Sequence, residues 1–300
     1  MNLGVEFCKV KFKNPVFTAS GTFNSGKEYA SVVDLNQIGG VIVKGVASTP
    51  WLGNPAPRIA ETYGGMLNSV GLQNPGVDVF IKEDIPFLRQ YDTKIIVNLA
   101  GRTIHEYVDV VEKLQEADVD LLELNISCPN VKEGGVAFGI DPKMAQLVTS
   151  EVKKVARQPL IVKLSPNVTD IVEIAKAVEA GGADGLSLIN TLIGMKIDIH
   201  KQKPVLSRTM GGFSGPAIKP VAVRMVYQVR KATRLPIIGL GGIMNGDDAI
   251  EFMLAGANAI AVGTANLINP RATMDVLEGI KNYMKMHNLL DINEIVGIIE

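Results

Sequence analysis

Short apolar runs rich in Val and Ile alternate along the chain with longer stretches of helical periodicity. The runs predict strands at Val16–Ala19, Gly40–Val43, Ile95–Leu99, Leu121–Ile126, Leu160–Leu164, Gly185–Ile189, Pro236–Leu240 and Ala259–Val262. Several are apolar at consecutive positions rather than at every second one. That is the pattern of strands covered on both faces of a parallel sheet. Between them, His105–Glu116 carries Val108, Val111 and Leu114 at helical spacing. Pro142–Ala156 follows Asp141, an N-cap type, with Pro in its first turn. Thr169–Ala180 stops at Gly181-Gly182, and Pro216–Thr233, Asp247–Ala255 and Pro270–Met286 complete the predicted helices. The α/β alternation through eight strand–helix units predicts a (βα)8 TIM barrel rather than a doubly wound sheet.

Two connections are too long for ordinary loops, Ser48–Pro75 after the second strand and Asn190–Gly215 after the sixth. Both leave the C-terminal ends of strands, where barrel enzymes build their sites, so they are expected as insertions at the mouth. No linker or low-complexity tract interrupts the chain, and residues 1–300 are expected to form one domain.

Charge and composition exclude several classes. Thirty basic residues against 31 acidic ones leave no electrostatic footprint for nucleic acid. No run of about 18 apolar residues predicts a membrane span. Met1–Lys13 lacks the charged-then-apolar order of a secretory leader. The two cysteines, Cys8 and Cys128, cannot supply a four-cysteine iron–sulfur site or a disulfide framework. A reduced, cytoplasmic protein is expected.

Polar residues gather where the strands should end: Ser20-Gly21, Lys44-Gly45, Asn98, Asn125, Lys163, Asn190-Thr191, Gly241-Gly242 and Gly263-Thr264. Such a ring describes a polar mouth over an apolar barrel. Glycine-rich ends on the seventh and eighth strands, Gly239–Gly242 and Gly263-Thr264, suit a phosphate, although tight turns alone could require them. Their spacing is not that of the dinucleotide fingerprint, and no NAD site is expected on this chain. Lys44 and Lys163 stand in or just past apolar strands. They read as rim lysines reaching solvent, as a Schiff-base amine, or as a fixed positive charge beside a ligand that becomes anionic. Cys128 follows the fourth strand, and Pro129 forbids simple strand continuation, so its thiol is expected on a loop at the mouth. A thiol, with an ordinary pKa of about 8.5, can serve as a base after a modest shift. Cys8 reads as an inert apolar residue. His105, His200 and His287 lie away from strand ends, so neither a Cys–His pair nor a histidine metal site is expected.

Specific strings then carry a family likeness. Thr18-Ala19-Ser20-Gly21, Val43-Lys44-Gly45, Asn68-Ser69-Val70-Gly71-Leu72-Gln73-Asn74 and Asn125-Ile126-Ser127-Cys128-Pro129-Asn130 belong to it. So do Ile189-Asn190-Thr191, Gly211-Gly212-Phe213-Ser214-Gly215-Pro216 and Gly239-Leu240-Gly241-Gly242-Ile243. Over essentially its whole length the chain resembles class 1 dihydroorotate dehydrogenases. The resemblance implies FMN at the mouth, contacted by Ser20, Lys44, Gly45, Asn98, Asn125, Lys163, Ile189, Gly215, Gly241, Gly242, Gly263 and Thr264. It implies dihydroorotate on the flavin, bound by Lys44, Asn68, Ser69, Val70, Gly71, Leu72, Asn125, Asn190 and Thr191. Asparagine amides suit the imide edge of a pyrimidine, since each offers donor and acceptor. By the same resemblance Cys128 is the catalytic base for C5 and Lys163 steadies charge on the reduced flavin.

Class 2 members of the family carry serine as base and an N-terminal extension, unlike this chain. Val131-Lys132-Glu133-Gly134-Gly135, Ile189-Asn190-Thr191-Leu192 and Ser214-Gly215-Pro216-Ala217-Ile218-Lys219-Pro220 are similar to the NAD-linked 1B type. That type implies a partner subunit carrying FAD and a 2Fe–2S cluster, in a heterotetramer of two catalytic and two electron-transfer subunits. The cysteine count and the missing dinucleotide fingerprint agree. The alternatives are a stand-alone, fumarate-dependent 1A enzyme and a Schiff-base lyase using Lys163.

Overall fold

A computed structural model describes residues 1–127, 132–133 and 136–299. Eight parallel strands close into a barrel: Val16–Thr18, Gly40–Ile42, Lys94–Leu99, Leu121–Asn125, Leu160–Lys163, Gly185–Leu188, Ile237–Leu240 and Ala259–Val262. The first strand pairs with both the second and the eighth, which closes the ring. Nearly every strand residue is buried, which is why the runs read as continuous apolar stretches. The strands agree with those expected to within a residue or so at each end.

The outer helices that the periodicity marks are Ile104–Leu114, Pro142–Val155, Ile171–Ala180, Lys219–Ala232, Gly246–Ala255 and Ala272–Met286. Their starts are set by side chains as well as by pattern. Thr103, Asp141, Asp170 and Asn245 each accept a hydrogen bond from a first-turn backbone N–H. The eight-unit scheme needs one amendment. The segment between the first two strands has only turns and the single 3-10 turn Leu35–Gln37, with no α-helix among its residues. After the second strand, helix is made of three consecutive pieces, Val77–Val79, Phe80–Asp84 (a π turn) and Ile85–Leu88.

An N-terminal hairpin, Val5–Phe7 with Val10–Phe12, packs Phe7 and Cys8 against Gly185 and Phe12 against Gly40, at the starts of barrel strands and away from the mouth. Phe7 is fully buried, and Phe12 lies 4.7 Å from the ring of Phe17. Cys8 sits in its turn, and its Sγ donates to Asp184 O at 3.3 Å. Burial pushes the Cys8 thiol up to about 12, so it is neutral and unreactive at physiological pH.

Both long connections are built structures. Ile59–Thr62 and Gly65–Asn68 from the first join Leu192–Met195 and Met210–Ser214 from the second in one four-stranded antiparallel sheet. The register sets Asn68 opposite Gly212, and Asn68 Nδ2 donates to Gly212 O at 3.3 Å. A Cβ on Gly212 would lie 2.1 Å from Thr191 Oγ1, so the sheet can approach the sixth strand's end only with glycine there.

Candidate active site

Register decides which side chains enter the barrel. Asn98 is opposite Glu123, and Lys163 is opposite both Asn125 and Ser187. Alternate residues share a face, so Asn98, Glu123, Asn125, Lys163 and Ser187 all face the interior. Glu123 and Ser187, joined by a hydrogen bond from Ser187 Oγ to the carboxylate, form a fully buried layer.

Above this layer is a cavity of about 220 Å³ at the C-terminal ends of the strands. From the first four strands it is lined by Ser20, Lys44, Gly45, Asn98 and Asn125. Lys163, Ile189, Gly215, Gly241, Gly242, Gly263 and Thr264 line the rest. These are all twelve residues expected to contact a cofactor. A second cavity of about 330 Å³ lies beside it, lined by Lys44, Asn68, Ser69, Val70, Gly71, Leu72, Asn125, Asn190 and Thr191. These are all nine residues expected to bind substrate. Lys44, Asn68, Val70, Leu72, Asn125, Asn190 and Thr191 border both. The geometry therefore provides two adjoining compartments with a shared polar wall. Cys128, the expected base, lies outside the described residues.

Lys163 is the most informative group in the larger chemistry of the mouth. It is 4% exposed, and its Nζ donates to Ser20 Oγ at 3.0 Å. Among the described residues no carboxylate forms an ion pair with it. A buried ammonium with one hydroxyl partner has two further N–H groups to offer and a desolvation cost left uncompensated. That suits an electron-rich ligand in the cavity. Lys44 also borders the cavity, its Nζ 3.5 Å from where a Cβ on Gly21 would stand.

The glycine turn after the seventh strand divides into two roles. Gly241 and Gly242 have φ of +126° and +85° and border the cavity, so the main chain there turns in a way other residues resist. Gly239 serves packing instead: a Cβ would stand 2.7 Å from the ring of Phe252. On the neighbouring strand end, Thr264 Oγ1 donates to Ser214 Oγ at 2.8 Å, tying the eighth strand to the inserted sheet.

The strand-end amides are held firmly. Tyr107, buried on helix Ile104–Leu114, donates its hydroxyl to Asn125 O at 2.7 Å. Asn167 Nδ2 donates to Thr191 O at 3.0 Å, and its Oδ1 accepts from Ile193 N at 2.9 Å. Asn54, Ser127, Asn167 and Arg208 also line the second cavity, and sequence reasoning missed them. Asn167 stands four residues past the fifth strand, a strand-end signal that was available. Arg208 lies in an insertion with no periodicity to mark it. Glu123 had a visible signal too, a carboxylate inside the apolar run Leu121–Asn125. Among the described residues no group of three or more His, Cys, Asp or Glu is placed to hold a metal.

A parallel barrel with a buried cation, paired amides and a glycine turn around cavities at its C-terminal mouth has the layout of a barrel enzyme. Comparison with known sequences narrows this. The sequence model described as dihydroorotate dehydrogenase matches residues 2–284. A protein of Alkaliphilus metalliredigens named dihydroorotate dehydrogenase B (NAD(+)), catalytic subunit, is 72% identical over 297 residues, 99% of this chain and 98% of that protein. Identically named proteins of Alkaliphilus oremlandii and Lachnoclostridium phytofermentans are 71% and 63% identical. The former match covers 99% of this chain and 98% of that protein, and the latter covers all of both. The chain belongs to the dihydroorotate dehydrogenase family.

Proposed function

We propose that this chain is the catalytic subunit of an NAD-linked dihydroorotate dehydrogenase, oxidising (S)-dihydroorotate to orotate for pyrimidine (UMP) synthesis in the cytoplasm. The observation that carries the reading is the buried Lys163, which has no carboxylate ion-paired to it among the described residues and lines one of two adjoining cavities at the strand ends.

The residues fit an FMN in the larger set of strand ends. Gly241, Gly242, Gly263 and Thr264 would cradle its phosphate, and Ser20, Asn98, Asn125 and Lys163 would meet its ring. FMN supplies a two-electron acceptor for the hydride leaving C6. Lys163 offers N–H donors and a positive charge where negative charge develops. In the neighbouring cavity Lys44 meets the substrate carboxylate as a point charge, and Asn68, Asn125 and Asn190 present amides to the imide edge. Cys128 takes the proton from C5 as the C5–C6 double bond forms. The proton and hydride together are the two hydrogens that separate dihydroorotate from orotate.

By the resemblance to the 1B type, electrons bound for NAD leave through a separate subunit carrying FAD and a 2Fe–2S cluster, and two cysteines with no dinucleotide fingerprint in this chain agree with that. A tetramer of two such pairs follows from the same reading. No described helix is long and apolar enough to cross a membrane. The test is turnover of dihydroorotate with NAD+ or fumarate as acceptor, with and without the electron-transfer subunit. NAD+ turnover only in its presence is expected. Rapid fumarate turnover by the isolated chain would replace this reading with the stand-alone type.

A further inference from the structure

One set of hydrogen bonds connects the cavity wall to the barrel interior, and its donors all point the same way. Thr191 N donates to Asn190 Oδ1 at 2.8 Å, and Asn190 Nδ2 donates to Ser127 Oγ. Ser127 Oγ donates to Asn125 Oδ1 at 2.7 Å, and Asn125 Nδ2 to Asn98 Oδ1 at 3.3 Å. Asn98 Nδ2 ends the series by donating to Glu123 Oε2 at 2.5 Å. The other carboxylate oxygen accepts from Ser187 Oγ at 2.7 Å, so Glu123 receives donors at both oxygens.

An amide can be turned over without changing its shape, so its direction in such a series depends on its fixed ends. Here both ends have fixed polarity. The outer end is a backbone N–H, and the N–H of Ser127 adds a second fixed donor to Asn125 Oδ1 at 3.3 Å. The inner end is a carboxylate, which when ionised only accepts. Asn98, Asn125 and Asn190 border the cavities, so the direction of each amide decides which hydrogen and which lone pair it leaves for a ligand.

We propose that Glu123 is a positioning residue that fixes the direction of the Asn98 amide, so that Asn98 Oδ1 accepts from Asn125 Nδ2 and holds Asn125 in the donor–acceptor pattern shown to the pyrimidine ring. Glu123 touches neither cavity, and its influence is carried by Asn98. The inference rests on the proposed oxidation of dihydroorotate.

The test uses the full-length, FMN-loaded chain, with orotate affinity read from the shift of the visible flavin band. Three variants separate direction from packing. Glu123→Met keeps an unbranched chain of similar length but removes the terminal acceptor. Glu123→Gln keeps an acceptor and adds a donor, so that either amide orientation is open. Ser187→Ala leaves one buried carboxylate oxygen unpaired and lowers the thermal midpoint, yet leaves the relay intact. The expected order of orotate affinity is parent and Ser187→Ala within twofold, Glu123→Gln weaker by a few-fold, and Glu123→Met weaker by about tenfold or more. Orotate binding by Glu123→Met within twofold of the parent overturns the inference. So does a loss in Ser187→Ala equal to that in Glu123→Met, which would mark a general effect of destabilising the core. Should Glu123→Met not retain FMN, Glu123→Gln decides: orotate affinity there within twofold of the parent overturns it. If the parent's flavin is not reduced by dihydroorotate, the functional reading fails instead. A reducible parent with an unaffected Glu123→Met removes this inference alone.

Discussion

Replacing Lys163 by methionine should move stability and function in opposite directions. The ammonium is 4% exposed and has one hydroxyl partner, Ser20 Oγ. Burying an ion costs several kcal/mol even after relaxation, and a single hydrogen bond from a charged group returns only about 1.5–3 kcal/mol. An apolar side chain of similar length removes that cost, so the ligand-free Lys163→Met protein should be as stable as the parent or more so. With FMN bound the sign reverses. A charge-assisted hydrogen bond is worth about 1.5–3 kcal/mol, or roughly a 10- to 150-fold loss in affinity for the state that carries the negative charge. For a two-electron couple that is a fall in flavin potential of about 30–65 mV. Thermal unfolding of the ligand-free protein, FMN titration and stopped-flow reduction by dihydroorotate read the three quantities. A lower thermal midpoint together with unchanged flavin affinity and unchanged reduction rate would refute the reasoning, because Lys163 would then be a structural cation. A substrate adduct trapped on Lys163 by borohydride would refute it differently, by making the amine a nucleophile.

Three further outcomes follow from particular residues. Cys128→Ala should keep FMN but slow flavin reduction by about 10²–10⁴-fold, and Cys128→Ser should recover part of that at high pH; an unchanged stopped-flow rate removes Cys128 as base. Gly241→Ala must hold a Cβ at φ +126° with Ala222 Cβ 2.9 Å away, so it should cost about 1–3 kcal/mol and weaken FMN binding; an unchanged thermal midpoint contradicts that. Cys8 is raised in the folded state from 9.0 to about 12, so its contribution to stability is full below pH 9 and is lost as pH rises from 9 toward 12. The slope there is about 1.4 kcal/mol per pH unit, and Cys8→Ala should flatten it in alkaline denaturation curves.

The barrel was legible in the sequence because its strands are buried on both faces. The run Leu160–Lys163 has no polar position until the lysine that enters the mouth, and Ala259–Val262 has none at all. Insertions gave weaker signals. Met210–Ser214 contains two glycines and is partly exposed, so neither alternation nor β-propensity marks it as a strand. The N-terminal hairpin turns at Cys8-Lys9, both with positive φ, where no glycine or asparagine announces the turn. Helix after the second strand escaped notice because a π turn interrupts its period. In the site, residues at strand ends could be found by position alone. Glu123 could not be assigned a purpose that way, since its role depends on which way three amides point across separate strands. The pairing of Asn68 with Gly212 likewise needs two insertions to meet, and no local pattern encodes that.

The measurement that tests the account most directly is anaerobic mixing of the FMN-loaded chain with dihydroorotate, without NAD+ or any other subunit. Rapid bleaching of the visible flavin band is expected, with one orotate formed per flavin and no return of the band when NAD+ alone is added. A chain that takes up no FMN, or a flavin band that dihydroorotate leaves unbleached, would contradict it.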